Sequence, residues 1–74
     1  MKKKDLIAFF SEFWEINSSK IKDSLRLDNT DLENQSSFRF YQFIAAVESN
    51  FGIKLSNIND IETFRDLCVS AEAI

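Results

Sequence analysis

Ser36 and Ser37 put two adjacent hydroxyls just before apolar residues at Phe40, Phe43, Ile44, Val47 and Phe51. Those positions follow i, i+3, i+4, i+7, i+11, the spacing of one buried face of an α-helix. A hydroxyl at the mouth of such a helix stands beside backbone N–H groups that lack partners within the helix, at the positive end of its dipole. A phosphate is favoured there. The chemistry within reach of Ser37 is therefore attachment of a phosphate-linked group to its oxygen. The plainer role for either serine is to cap the helix, which serine does often.

The chain offers little else for catalysis. It has no histidine, the commonest general base at neutral pH. Its one cysteine, Cys68, falls on the apolar face of a last helix and reads as a buried, inert thiol. One cysteine without histidine makes no structural zinc set. Asp28, Asp31 and Glu33 form an acidic loop but lack the ligand spacing and the glycine of a calcium loop. A single glycine, Gly52, excludes a glycine-rich phosphate cradle. No catalytic residue and no metal ligand is expected, so the chain reads as a non-enzyme.

The elements that would position Ser37 must be few. A chain of 74 residues makes one small domain, residues 1–74, of marginal stability. Eight Phe and one Trp bury much area per residue and partly compensate for a small core. The absence of proline, with one glycine, argues against a loop-rich or all-β fold. The net charge is −3. Lys2, Lys3 and Lys4 sit at an end expected to fray, as a solvated tail. The remainder is more acidic, so no nucleic-acid groove is expected. A lone cysteine fits a reducing compartment. The apolar run from Leu6 to Phe10 is interrupted well short of a spanning helix, and nothing resembles a signal peptide. The expected location is cytoplasmic, without stable membrane insertion, as a monomer.

Leu6, Phe9, Phe10, Phe13 and Ile16 mark a first helix over about residues 5–16, with Asp5 placed to cap it or favour its positive end. Ile7 and Trp14 widen its stripe and read as core. Asn17-Ser18-Ser19 ends it. Residues 20–35 read as a long ordered loop pinned by Ile21, Leu25, Leu27 and Leu32; loops of this length are uncommon and often functional. A second helix spans 37–50, ended by Gly52 in a left-handed conformation. Residues 56–61 suit one short helical turn. Thr63-Phe64-Arg65-Asp66 is a capping pattern before a last helix carrying Phe64, Leu67, Cys68 and Ala71. The expected fold is all-α, a small bundle of three main helices plus a short helix, with a long first loop.

This order of pieces resembles the acyl carrier protein family. There a serine, usually within Asp-Ser-Leu, opens the second helix and carries 4′-phosphopantetheine. Ser37-Phe38 takes the place of Ser-Leu. Phe51-Gly52-Ile53-Lys54-Leu55 looks like the family's Phe-Gly-Ile-x-Ile. Ile61-Glu62-Thr63-Phe64-Arg65-Asp66-Leu67 is similar to its Ile-x-Thr-Val-x-x-Leu. Ser36 stands where the family usually has aspartate, and Asn34 stands near its usual loop glycine. Choosing Ser36 as the modified serine would move the aromatic stripe out of register, so the resemblance points to Ser37.

The resemblance implies a carrier holding an acyl or aminoacyl group as a thioester on a 4′-phosphopantetheine arm at Ser37. It implies a phosphopantetheinyl transferase that uses coenzyme A and magnesium. It also implies partner enzymes that activate or transfer the acyl or aminoacyl group. Phe38, Arg39, Tyr41, Gln42 and Glu48 fall on the helix the family presents to partners. Common members show carboxylates there. Arg39 reverses the sign at one such place and Gln42 neutralises another, so a specialised lipid, polyketide or secondary-metabolite carrier is expected. Phe38 and Tyr41 would be apolar anchors, or the Tyr41 ring would lie flat on its own bundle. The aromatic load leans toward short or aromatic cargo. The alternative is an unmodified helical module that docks through the second helix.

Overall fold

The computed structural model describes residues 1–28, 32 and 36–74. Three helices, α1 (Lys3–Trp14), α2 (Ser37–Phe51) and α3 (Phe64–Ser70), are accompanied by 3-10 turns at Ser18–Lys20 and Ile58–Asp60. No strand occurs among the described residues; a lone antiparallel bridge joins Arg26 and Thr63. The fold is a small all-α bundle, as the sequence implies. Asp31, Glu33 and Asn34, together with the rest of residues 29–31 and 33–35, lie outside the described residues.

Helix α1 sits two residues earlier than the apolar spacing suggests. Its end is set by Glu15, which turns left-handed (φ 53°) and donates its N–H to Ser11 O. The Ser11 hydroxyl then donates to Ile16 O at 2.6 Å, which holds Ile16 outside the helix. Asn17 accepts from Ser19 N and caps the following 3-10 turn, as asparagine does where the backbone leaves a helix. At the other end the cap residue is Lys2, with no side-chain cap bond, and Asp5 lies inside the first turn. Asp5 therefore complements the dipole and does not cap.

The lysine end is tied down, contrary to the expectation that it frays. Lys3 N donates to Ile74 O at 2.8 Å, and Ile74 N donates to Met1 O at 3.1 Å. Lys3 Nζ meets Asp23 Oδ1 at 2.7 Å. That hydrogen bond raises the Lys3 ammonium above its ordinary pKa, but an exposed pair of this kind adds little stability. The backbone exchange is the stronger constraint, and sequence spacing does not reveal it.

The first loop is held by the start of α3. Leu27 N donates to Glu62 O and Phe64 N to Leu25 O, both at 2.9 Å, and Arg65 N donates to Asp23 O at 3.1 Å. Ile21, Leu25, Leu27 and Leu32 are all buried, as their isolated apolar character suggests. Thr63 and Asp66 form a full capping box. The Asp66 carboxylate accepts from Glu62 N at 3.0 Å and from Thr63 N at 3.1 Å. Those two bonds, in that order, lower its pKa below the ordinary carboxylate value of 3.8. Folding thus gains from ionised Asp66 above that ordinary value, and the gain disappears as pH falls through the lower folded value. Thermal melts at about pH 7 and about pH 3 should show a smaller acid-induced fall in Tm for Asp66→Asn than for the wild type. Parallel falls would contradict this.

Helix α2 ends where its glycine suggests. Gly52 is left-handed (φ 64°), with its N–H donated to Glu48 O. A methyl group added there would meet nothing within 4 Å, so Gly52→Ala probes backbone strain alone. It should cost about 1–2 kcal/mol, measured by urea denaturation; no change would mean the turn relaxes freely.

The core is aliphatic around a cluster of aromatic rings. Phe10, Phe43, Phe64, Leu6, Leu67 and Val47 are fully buried. Phe43 lies 5.3 Å from Phe10, 5.1 Å from Phe13 and 5.6 Å from Trp14 between ring centres, so it joins α2 to the inner face of α1. Phe10 meets Phe64 of α3 edge-on at 5.3 Å. Trp14 is buried, consistent with a core role. No helix among the described residues is long and apolar enough to cross a membrane.

Candidate functional site at the start of α2

The two serines divide the roles that the sequence leaves open. Ser36 is the N-cap: its Oγ accepts from Arg39 N at 3.2 Å. Its extended backbone (φ −141°, ψ 165°) is the geometry a cap requires. Ser37 is the first helical residue and is exposed. Its hydroxyl is not consumed by the cap. The first turn of α2 carries no acidic side chain of its own, and the positive end of a helix dipole favours an anion.

Ser37 lines an open hollow of about 130 Å³ with Leu27, Phe40, Tyr41, Ile58, Asn59 and Ile61. Three segments meet there: the first loop, α2 and the turn before α3. The Arg26–Thr63 bridge brings the first and last together. Tyr41 donates its hydroxyl to Asn59 Oδ1 at 3.2 Å and so fixes the rim. Small-molecule pockets run to roughly 300–1,000 Å³, so this hollow can seat the root of an attached group and not a whole ligand. A larger open hollow of about 560 Å³ adjoins Lys3, Asp23, Arg65 and Ile74. It is remote from both serines in the lining it uses, and its one ion pair is exposed.

Of the α2 residues expected to face partners, Phe38 and Tyr41 are 64% and 52% exposed, and Gln42 is exposed. Arg39 and Glu48 are placed differently. Arg39 is half-buried, turned toward α1: its Nη2 donates to Phe13 O at 3.1 Å. The guanidinium carbon stands 5.2 Å from the ring centres of both Phe13 and Trp14. Helix α1 has no basic residue in its last turn; Arg39 supplies that charge from α2, where carbonyls and ring faces both attract a cation. Arg39 Nε and Trp14 Nε1 lack hydrogen-bond partners among the described residues, which offsets part of the gain. Arg39→Ala should still lower stability by about 1–2 kcal/mol in a urea melt. Arg39→Lys should recover only part of it, since a compact ammonium cannot lie across two rings. Full recovery would contradict the stacking account. Glu48 is half-buried, and its Oε2 accepts from Leu55 N at 2.8 Å, fixing the chain beyond α2.

Cys68 is buried, and burial pushes its thiol pKa up, in keeping with an unreactive group. No group of three or more His, Cys, Asp or Glu among the described residues could hold a metal ion. Sequence reasoning marks Leu27 only as a pin of the first loop and does not single out Asn59, so it links neither to Ser37. Neither belongs to a helical stripe that includes Ser37, and only the meeting of two loops brings them beside it.

Compared with models of known protein families and with curated proteins, the chain matches none.

Proposed function

We propose that this chain is a carrier protein whose Ser37 bears a 4′-phosphopantetheine arm. The observation that supports it best is the division of labour between the serines. Ser36 spends its oxygen on the cap, and Ser37 keeps an exposed hydroxyl at the positive end of a fifteen-residue helix, beside a small hollow. When bound, the arm supplies a thiol that holds an acyl or aminoacyl group as a thioester. The chain's own residues do the rest. Ser37 provides the oxygen that joins the phosphate. The N–H groups and dipole of α2 stabilise the diester's charge. Leu27, Phe40 and Ile61 wall the root of the arm. A phosphopantetheinyl transferase using coenzyme A and magnesium installs it in the cytoplasm.

The rings that fill the space between the helices favour cargo carried outside the bundle, where the arm's reach brings it to partner enzymes at high effective concentration. A specialised lipid, polyketide or secondary-metabolite pathway fits that arrangement. The second reading is an unmodified docking module, favoured by the exposure of Phe38 and Tyr41. Incubation with coenzyme A, magnesium and a broad-specificity phosphopantetheinyl transferase separates the two. A carrier gains one phosphopantetheine by intact mass, and Ser37→Ala gains none. A folded wild type that gains nothing with several transferases is not a carrier.

A further inference from the structure

The segment after α1, residues 17–25, holds two lysines, Lys20 and Lys22, and one carboxylate, Asp23. Asp23 is turned elsewhere: its Oδ1 accepts from Lys3 Nζ at 2.7 Å. Lys20 and Lys22 are exposed and line an open hollow of about 330 Å³ with Ile16, Ser19, Ser24 and Leu25. Among the described residues no carboxylate lines it. The two ammonium groups and the two serine hydroxyls have no partner among the described residues. An unpaired excess of positive charge thus stands on a chain whose net charge is −3. We propose that this hollow binds the phosphate of a small phosphorylated molecule, with Lys20 and Lys22 as the charge partners and Ser19 and Ser24 as further donors.

A phosphate monoester carries a charge of about −1.5 to −2 at pH 7 and three strong acceptor oxygens. Two ammonium groups match that charge, and with two hydroxyls they offer more donors than the two oxygens of a singly charged carboxylate require. The volume lies at the lower end of small-molecule pockets, roughly 300 Å³ and upward, which suits a small ester. The exposed large apolar residues, Phe38, Tyr41, Val69 and Ile74, do not line the hollow. It therefore lacks the apolar face that enters a bilayer, and a free ester is favoured over a lipid headgroup. The shortage of acceptors extends inward at this end of α1, where Trp14 Nε1 and Arg39 Nε are buried without partners. The hollow shares no lining residue with the one at Ser37, so the site stands apart from the carrier reading.

The test is an amide NMR titration of the labelled chain with glycerol 3-phosphate, beside NaCl at equal ionic strength. Shifts should concentrate in residues 17–25 and saturate with a Kd of about 1–10 mM, as befits an exposed site for a small anion. Lys20→Gln and Lys22→Gln should each weaken binding by roughly two- to fivefold, and the pair by roughly tenfold. Their melting curves should match the wild type, because both side chains are exposed. Lys4→Gln removes the same charge from the opposite end of α1 and should leave the Kd within about twofold. Shifts reproduced by NaCl, shifts centred on Ser36 and Ser37, or a double variant that binds as tightly as the wild type would overturn the proposal. So would co-sedimentation with phosphatidic acid vesicles without any response to glycerol 3-phosphate.

Discussion

Phe43→Ala is expected to remove about 3–5 kcal/mol of stability, the usual cost of emptying a buried phenylalanine site. A domain of 74 residues has roughly 4–11 kcal/mol to lose at ordinary stability per residue. The substitution should therefore remove from about a quarter of that stability to all of it, seen as a strongly lowered urea midpoint and Tm. The reason is positional. Phe43 touches Phe9, Phe10, Phe13 and Trp14 of α1, and Phe10 passes the contact on to Phe64 of α3. Phe38→Ala is the matched control. It removes the same ring from a site 64% exposed and should change stability by less than about 0.5 kcal/mol. A Phe43→Ala cost below about 1.5 kcal/mol would mean the aromatic cluster closes around the gap and is not the keystone described here.

The paired serine substitutions should show opposite profiles. Ser36→Ala removes the oxygen that accepts from Arg39 N and should cost about 1 kcal/mol, while Ser37 remains modifiable. Ser37→Ala removes no cap and should stay within about 0.5 kcal/mol of the wild type, because alanine suits a first helical position. Yet it should lose phosphopantetheine attachment completely. Stability by urea denaturation and modification by intact mass give two independent readouts. If both properties were lost together in one variant, the separation of cap from attachment point would be wrong.

Much of this was legible where the signal is local. The apolar rhythm from Phe40 to Phe51, the serine pair before it and Gly52 after it define α2 within one residue. Thr63 and Asp66 announce their capping box by spacing alone. Isolated Leu25 and Leu27 mark a loop that packs inward. What escaped depends on distant partners. The start of α1 is set by backbone bonds to Ile74. Arg39 looks like a surface charge in a helical wheel, because Phe13 O, 26 positions earlier in sequence, becomes its acceptor only once α1 packs on α2. Glu48 likewise reads as a solvated acid until Leu55 N folds back to it. In each case the apolar pattern identifies the helix but not which polar ends meet.

The most direct measurement is fragmentation mass spectrometry of the wild-type chain after incubation with coenzyme A, magnesium and a phosphopantetheinyl transferase. The account predicts one phosphopantetheine, located on Ser37 and not on Ser36. An unmodified chain that remains folded, or a group located on Ser36, would contradict it.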